Sequence, residues 1–471
     1  MKLNEALSRI NYWWSKNEIK LFSNYKIARN ELDLIKKSLS TKRILSIIGP
    51  RRVGKSTLIY QTIEYLLKEK IDNKRIMFFS GDDPSIFSEN VSIGDIIELY
   101  LNEILHENIQ ELKEKVYIFI DEIHVVKDWQ VWLKSYYDKN YNIKFIISGS
   151  SSTHLFEGSK ESLLGRYDSI KIMPLLFIEY CKFYSIYNND EKISEFLNEL
   201  PNFSTFDNIE KYYTFLKENE LKLNYYKPYV NKVLDEYLLI GGYPEYFEVN
   251  DIKLWQKRLV EDIIGQGLYR DIISIFNIKN PNMLEKLIYF ITANIGQTFN
   301  YKTIADTIGA DNETVQNYIS FLSTAYLVII LENYSTNIGK SIRKNKKLYV
   351  LDNGISNALL HLEKIDSTRK GNLIETLCVR NVLNICENNF WKMYYWNNNN
   401  NEVDIVIDKN DKIILVKINN ENNLTNYEKA ILEFKKTFNN KYVNVESLLL
   451  ITKDDLSFKN NIYAIPFWLV N

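Results

Sequence analysis

The chain has 471 residues, with 59 Lys and Arg residues against 60 Asp and Glu residues and a formal net charge of −1. This balance excludes a globally basic nucleic-acid coat and a polybasic membrane binder, but it does not exclude a local basic patch. At ~150 residues per domain, the length predicts about three domains. The 45% hydrophobic content is typical of a globular chain with sizeable cores.

The cysteines and the amino terminus indicate the compartment. Cys181, Cys378 and Cys386 are an odd number and lack the spacing of a metal site, so we expect inert, buried thiols in a reducing environment. The first residues lack the apolar core of a signal peptide. Because no apolar run approaches the ~18 residues of a membrane span, we expect a cytoplasmic protein.

After an amphipathic helical pattern over residues 1–40, short apolar strands alternate with longer helical patterns. Because helices separate successive strands, the order predicts a parallel sheet with helices on both faces. The predicted strands are residues 44–48, 76–79, 116–120, 145–147 and 170–173.

The next part of the chain is mostly helical in pattern, from residue 175 to about 270, with its clearest interruption at residues 241–244. Three helices and a strand pair then follow, an order typical of a winged helix. These elements are predicted at residues 283–295, 303–308, 313–322, 326–333 and 347–351. Mixed α/β character resumes from about Gly371 to the end.

Residues 49–56 match the phosphate-loop pattern G-x-x-x-x-G-K-[ST] at every defined position. In such a loop the backbone N–H groups face phosphates, Lys55 neutralises phosphate oxygens and Ser56 places a hydroxyl on Mg²⁺. A predicted strand ends at the loop and a helical pattern follows it, as a phosphate loop requires. The candidate nucleotide-binding residues are Gly49, Pro50, Arg51, Arg52, Val53, Gly54, Lys55, Ser56 and Thr57.

Polar residues at the ends of two later predicted strands, 116–120 and 145–147, predict the rest of the site. Asp121 would hold Mg²⁺ through water or the loop hydroxyl, and Glu122 would orient and deprotonate the attacking water. Ser148 or Ser150 could sense the γ-phosphate, although a serine-rich loop that caps the next helix is the alternative. Arg166 is a candidate cation for the transition-state charge, in its own subunit or across a subunit interface.

These motifs resemble those of the archaeal and bacterial AAA-type ATPases of the "archaeal ATPase" group, which carry a C-terminal domain of unknown function. The resemblance rests on residues 49–56, 120–124, 128–129, 148–151, 165–166, 241–245, 347–354, 371–375 and 402–404. It implies ATP as the nucleotide and an α/β fold with an AAA-type P-loop core, a helical lid, a winged helix and a restriction-endonuclease-like domain. The predicted boundaries are an N-terminal helical segment at 1–40, the ATPase core at 41–175, the lid at 176–280, the winged helix at 281–360 and the nuclease-like domain at 361–471.

The nuclease-like domain has one visible defect. Glu375 lies on a predicted helix, Asp404 on a strand and Lys417 on the next strand, as a Mg²⁺-dependent nuclease would need. The usual second acid lies two residues before the lysine, where this chain has Leu415, and an apolar side chain cannot ligate Mg²⁺. Glu402 shares a strand face with Asp404 and could compensate. We nevertheless expect an inactive domain.

A second argument concerns DNA. Basic residues precede or enter the predicted wing, where they could contact DNA phosphates without sequence specificity. They are Lys340, Arg343, Lys344, Lys346 and Lys347. A solvated basic hairpin is the alternative. The presumed recognition helix, residues 311–318, carries two acids and no Lys or Arg, so sequence-specific reading of the major groove is not expected.

The sequence thus predicts a Mg²⁺-dependent ATPase whose nucleotide state is coupled to its C-terminal domains, with DNA or a protein as partner. The alternative is a nucleotide-gated switch or scaffold with slow hydrolysis. An active nuclease is the least favoured hypothesis.

Overall fold

A computed structural model of the chain describes residues 3–15, 27–87, 91–149, 165–276, 278–337, 339, 341, 344–398, 401–419, 424–438 and 444–470. The chain divides into two compact units, Met1–Met173 and Pro174–Asn471. The finer division into five segments stays a prediction.

The first unit is built on a five-stranded sheet with the order β2-β3-β4-β1-β5. Every neighbouring pair is parallel, so the carboxyl ends of the strands share one edge. The strands are β1 (Ile44–Ile48), β2 (Ile76–Ser80), β3 (Val116–Asp121), β4 (Ile143–Gly149) and β5 (Tyr167–Lys171). All residues of β1 and β4 are buried, as expected of central strands in a parallel sheet. The predicted parallel α/β fold is confirmed.

The helices of this unit follow the predicted alternation. They are α1 (Leu3–Ile10), α2 (Glu31–Ser38), α3 (Lys55–Lys68), α4 (Ile93–Tyr100) and α5 (Trp129–Asp138). Leu58, Ile59, Ile63 and Leu66 are buried along α3, at the spacing that places them on one helix face.

The amino-terminal segment covers the open edge of the sheet at β2. The Asn11 side chain accepts from the Phe78 N–H at 2.6 Å and donates to the Phe78 carbonyl at 2.8 Å. The indole N–H groups of Trp13 and Trp14 both donate to the Ile76 carbonyl. Because an exposed strand edge can template wrong pairing, these side chains protect the sheet.

The fifth strand begins and ends earlier in the chain than predicted. The apolar run at 170–173 predicts the strand there, but β5 begins at Tyr167 and ends at Lys171. All five of its residues pair with β1, including the polar Asp168 and Ser169. An edge strand is buried on fewer sides, so apolar content is a weaker guide to its limits than in the central strands.

The second unit contains a nine-stranded sheet with the order β13-β14-β12-β11-β10-β9-β7-β8-β6. Its strands are β6 (Thr298–Phe299), β7 (Val328–Asn333), β8 (Lys346–Val350), β9 (Lys392–Asn397), β10 (Glu402–Asp408), β11 (Ile413–Asn419), β12 (Val445–Thr452), β13 (Ser457–Lys459) and β14 (Ile462–Pro466). Glu332 and Asn333 of β7 pair in parallel with β9. The predicted hairpin and the nuclease-like strands therefore form one continuous sheet.

The helices of the second unit are α6 (Phe177–Tyr187), α7 (Glu191–Glu199), α8 (Ile209–Glu218), α9 (Glu220–Ile240), α10 (Tyr246–Val249), α11 (Ile252–Val260), α12 (Ile273–Phe276), α13 (Pro281–Ala293), α14 (Tyr301–Ile308), α15 (Asn312–Thr324), α16 (Asn353–Leu359), α17 (Ser367–Asn388) and α18 (Leu424–Phe438). The three helices predicted before the strand pair correspond to α13, α14 and α15. A π-helical segment, Glu261–Ile272, lies between α11 and α12. Over the described residues, a helix with the length and apolar character to cross a membrane is not found.

A buried ion pair explains two of the sequence landmarks in this unit. Asp352, 1% exposed, accepts from the N–H of Gly242 at 2.9 Å and from that of Gly354 at 2.8 Å. Arg380 donates to the same carboxylate at 2.8 Å. Gly241 has a φ of +80°, and a Cβ there would lie 1.9 Å from Asp352 Oδ1, so only glycine fits.

The three cysteines agree with expectation. All are buried free thiols. Burial raises the pKa of each thiol, which disfavours the reactive thiolate.

Candidate functional site

The phosphate loop follows β1 and leads into α3. At Gly49 a Cβ would lie 1.9 Å from the Ile172 carbonyl oxygen, so the loop needs glycine to pass the end of β5. Gly54 has a φ of +95° and precedes the first residue of α3. Lys55 is buried, and its ammonium donates to the carbonyls of Gly49 at 3.0 Å and Pro50 at 2.8 Å. The cation therefore lies against the loop that is predicted to bind phosphates.

Asp121 and Ser56 meet at the carboxyl edge of the sheet. The Ser56 hydroxyl donates to Asp121 Oδ2 at 2.6 Å. The Ser148 hydroxyl, at the end of the neighbouring strand β4, donates to Asp121 Oδ1. The carboxylate is thus held from both sides, and Asp121 as a residue is 7% exposed. The structure brings together three of the residues that the sequence predicted for this site.

Ser148 also contacts the residue that follows Asp121. Its hydroxyl oxygen accepts from the Glu122 N–H at 3.2 Å, and its side chain is fully buried. In this arrangement the hydroxyl orients the two carboxylate-bearing residues, while a contact with γ-phosphate stays a prediction. Ser150 lies outside the described residues.

Glu122 has an unusual backbone and a perturbed carboxyl group. Its φ of 45° lies in the left-handed region, which non-glycine residues rarely adopt and which is common at functional sites. Burial is the largest cause that raises the pKa of the Glu122 carboxyl, while Lys55 and Arg51 oppose it. Glu122 Oε2 lies 3.2 Å from His124 Nδ1. Sequence analysis assigned His124 no role, although its spacing two residues after the glutamate is the signal that points to it.

Arg166 does not lie at this site within its own chain. Its carbonyl accepts from the Ile44 N–H at 2.9 Å, which places it at the amino end of β1, whereas the phosphate loop follows the carboxyl end. A five-residue strand spans roughly 16 Å at ~3.3 Å per residue. The Arg166 guanidinium makes two hydrogen bonds to Asp138, at 2.7 and 3.2 Å. The structure therefore does not place Arg166 at the phosphate loop of its own chain, and its role with the transition-state charge stays a prediction.

Arg29 is a residue that sequence analysis missed. Its guanidinium donates to the carbonyl of Val53 in the phosphate loop at 3.1 Å and to that of Met173 at 2.7 Å. It is 7% exposed and pairs with Glu31. The arginine thus fixes the loop to the end of the first unit. Because its main partners are backbone carbonyls, no residue pattern signals it.

The nuclease-like residues are grouped differently from an open metal site. Lys417 donates to Asp404 Oδ1 at 2.7 Å, and the Ile418 N–H donates to the other oxygen at the same distance. Leu415 stands where a nuclease would have its second acid, and its side chain is fully buried in the apolar core. Among the described residues, no group of three or more His, Cys, Asp or Glu is arranged to hold a metal ion.

The prediction of an exposed basic wing is wrong for two of its lysines. Lys346 and Lys347 are 6% and 3% exposed, so they do not form a surface ribbon. The reason is that β8 lies inside the sheet, between β7 and β6, where both ammonium groups pair with carboxylates. Lys344 is exposed, and Lys340 and Arg343 lie outside the described residues.

A P-loop nucleotide-binding domain is the class that this fold and site define. A family model described as an AAA domain matches residues 41–181. Two models described as domains of unknown function, DUF8612 and DUF4143, match residues 231–366 and 370–470. The chain thus matches an AAA domain followed by two domains of unknown function, and its first unit contains a nucleotide-binding, ATPase-like domain.

Relatives of similar length match two thirds or more of this chain. The uncharacterized protein MJ1544 of Methanocaldococcus jannaschii is 27% identical over 470 residues, which cover 96% of this chain and 92% of that protein. The uncharacterized protein MJ1637 of the same organism is 25% identical over 80% of this chain and 76% of its own length. An uncharacterized protein of Haemophilus influenzae is 25% identical, with 67% and 68% covered. These matches are consistent with an archaeal-type ATPase.

One solved structure is similar only weakly. The structure of C. elegans PCH-2 has a TM-score of 0.25 and 13% identity, over 43% of this chain and 58% of that chain. A likeness at this level carries no argument about fold or function.

Proposed function

We propose that the protein is a Mg²⁺-dependent ATPase that couples its nucleotide state to its C-terminal unit. The observation that carries the proposal is the meeting of the Ser56 hydroxyl and the Asp121 carboxylate at 2.6 Å, beside the phosphate loop. Glu122 follows at the same sheet edge, with its carboxyl largely buried. A phosphate loop, a metal-binding pair and a base in one place are the parts that ATP hydrolysis requires.

The residues present fit ATP and Mg²⁺. Ser56 and Asp121 supply hydroxyl and carboxylate oxygens, which are the ligands that Mg²⁺ prefers. Lys55 supplies a cation, and the residues from Gly49 to Thr57 supply the loop and the start of α3 for the phosphates. Bound Mg²⁺ would offset the negative charge on the phosphate oxygens. The adenine base is proposed from the family resemblance.

Glu122 is proposed to accept the proton of the attacking water. A buried carboxylate with a raised pKa is a stronger base than an exposed one, which suits general-base chemistry near neutral pH. The hydrogen bond from the Glu122 N–H to the Ser148 hydroxyl fixes the position of the Glu122 backbone, from which the carboxylate extends. Ser148 then acts by positioning Asp121 and Glu122.

A nucleotide-gated switch with slow hydrolysis is the second candidate. The observation that favours it is the 3.2 Å separation of Glu122 Oε2 and His124 Nδ1, because a protonated His124 would pair with the carboxylate and make it less available to water. A protein partner fits this candidate better than DNA, since Lys346 and Lys347 are buried.

The buried free thiols fit a cytoplasmic location.

The role of DNA is tested by ATP turnover of the full chain with duplex or single-stranded DNA across a salt series. We expect turnover to change little, because two of the five residues of the predicted basic ribbon cannot reach phosphates. Stimulation at low salt that fades as salt rises would instead support a DNA-coupled enzyme, since phosphate contacts release counterions.

A further inference from the structure

Lys347 is a buried cation between two carboxylates of the nuclease-like end. Its Nζ lies 2.5 Å from Glu402 Oε1 and 3.2 Å from Glu375 Oε1. The lysine comes from β8, whereas the glutamates come from β10 and α17. One ammonium group thus contacts three elements that are far apart in sequence.

The same carboxylates have further partners. The Tyr349 hydroxyl donates to Glu375 Oε1 at 2.6 Å, and the Asn397 amide donates to Glu402 Oε2 at 2.9 Å. Asp404, on the same strand as Glu402, is paired with Lys417 at 2.7 Å. Three carboxylates therefore face two ammonium groups and additional hydrogen-bond donors.

The electrostatics of the cluster follow from its burial. Desolvation alone would lower the pKa of Lys347, but Glu375 is the first of several neighbours that raise it well above its ordinary value. Burial likewise opposes ionisation of Glu402, yet Lys347 holds the pKa of that carboxyl below its usual range. Both groups are therefore charged at neutral pH, and each depends on the other for compensation.

We propose that the Lys347 ammonium is the resident cation of this carboxylate cluster and occupies the place that a divalent metal would take in a metal-dependent nuclease. The oxygens of Glu375 and Glu402 converge on one point, and Nζ lies there. The C-terminal unit therefore needs no metal at this place, and the hairpin strand β8 is tied to β10 and α17. This inference concerns the second unit and does not depend on ATP hydrolysis.

Lys347→Met tests the proposal, because it removes the charge and keeps most of the length of the side chain. The full chain is used in an Asp121→Asn background, which removes the carboxylate of the phosphate site as a Mn²⁺ ligand. We expect the Tm to fall by on the order of 10 °C, since two partly buried carboxylates lose their cation. Mn²⁺ should raise the Tm of Lys347→Met, and should leave the Asp121→Asn parent unchanged.

Two controls separate charge from packing. Lys346→Met removes the adjacent buried lysine, which pairs with the partly exposed Glu332, and should give no response to Mn²⁺. Adding Glu375→Gln and Glu402→Gln to Lys347→Met removes the opposing charges, so it should recover much of the lost Tm and abolish the Mn²⁺ effect.

Two outcomes would overturn the proposal. In the first, Mn²⁺ raises the Tm of the Asp121→Asn parent, and adding Glu402→Gln to that parent removes the effect. This result would show a metal site beside the lysine. The other is a Lys347→Met variant with an unchanged Tm and no Mn²⁺ response. If Lys347→Met does not fold, paramagnetic resonance of Mn²⁺ with the parent and its Glu402→Gln variant decides the question, because the proposal predicts no bound Mn²⁺ in either.

Discussion

Replacing Glu122 with Gln is expected to lower ATP turnover by ~10²–10⁴-fold, the usual contribution of a general base. The amide keeps the size of the side chain but cannot accept the proton of the attacking water. ATP binding should persist, because Lys55 and Ser56 are unchanged and the loop geometry does not involve the Glu122 side chain. Phosphate release and nucleotide titration of the same preparation measure the two effects.

A matched change elsewhere shows that the loss is local. Glu69→Gln alters an exposed glutamate after the last turn of α3 and should leave turnover within a factor of two or so of the parent. Unchanged turnover in Glu122→Gln would remove Glu122 as the base. If turnover is slow already and ATP binding alone changes the C-terminal unit, the switch is the better description.

The largest stability effect is expected at Arg380. Arg380→Ala leaves the Asp352 carboxylate buried without its cation, a change that costs about 3–5 kcal/mol in comparable buried pairs. It also removes hydrogen bonds to the carbonyls of Pro174 and Leu175, at the first residues of the second unit. Hydrogen exchange at the amides of Gly242 and Gly354 reports the effect locally, because both N–H groups donate to Asp352.

An exposed ion pair supplies the comparison. Arg43 and Asp168 lie 3.0 Å apart with about half and two-fifths of their side chains exposed. Arg43→Ala should therefore cost no more than about 1 kcal/mol of unfolding free energy. If Arg380→Ala costs as little as Arg43→Ala and exchange at the two glycines does not accelerate, the buried pair does not hold this region together.

The phosphate site was predictable because its signals are local. Residues 49–56 form one contiguous motif, and parallel strands deliver Asp121 and Ser148 to the same edge once the strand order is granted. The apolar runs predicted the limits of β1 and β3 to within one residue, whereas the run at 145–147 marked only the middle of β4. The edge strand β5 was misplaced because its paired residues include the polar Asp168 and Ser169, which precede the apolar run.

The charged interior of the second unit was not predictable in the same way. Lys346 and Lys347 lie in a strand in which all five residues are buried, yet their partners are separated from them by 14 to 55 residues. A single sequence does not indicate which distant carboxylates will neutralise a lysine, so the pattern was interpreted as a basic surface. Arg29 and Arg380 were also not predicted. Both donate to backbone carbonyls that are distant in sequence, and a single sequence does not indicate such partners.

The ATPase proposal is tested most directly by phosphate release from ATP by the purified full chain, compared with its Lys55→Ala variant. With Mg²⁺ the parent is predicted to release phosphate, and both chelation of the metal and Lys55→Ala should abolish the release. Release that is equal in the parent and in Lys55→Ala, or that persists after chelation, would contradict a Mg²⁺-dependent ATPase at this phosphate loop.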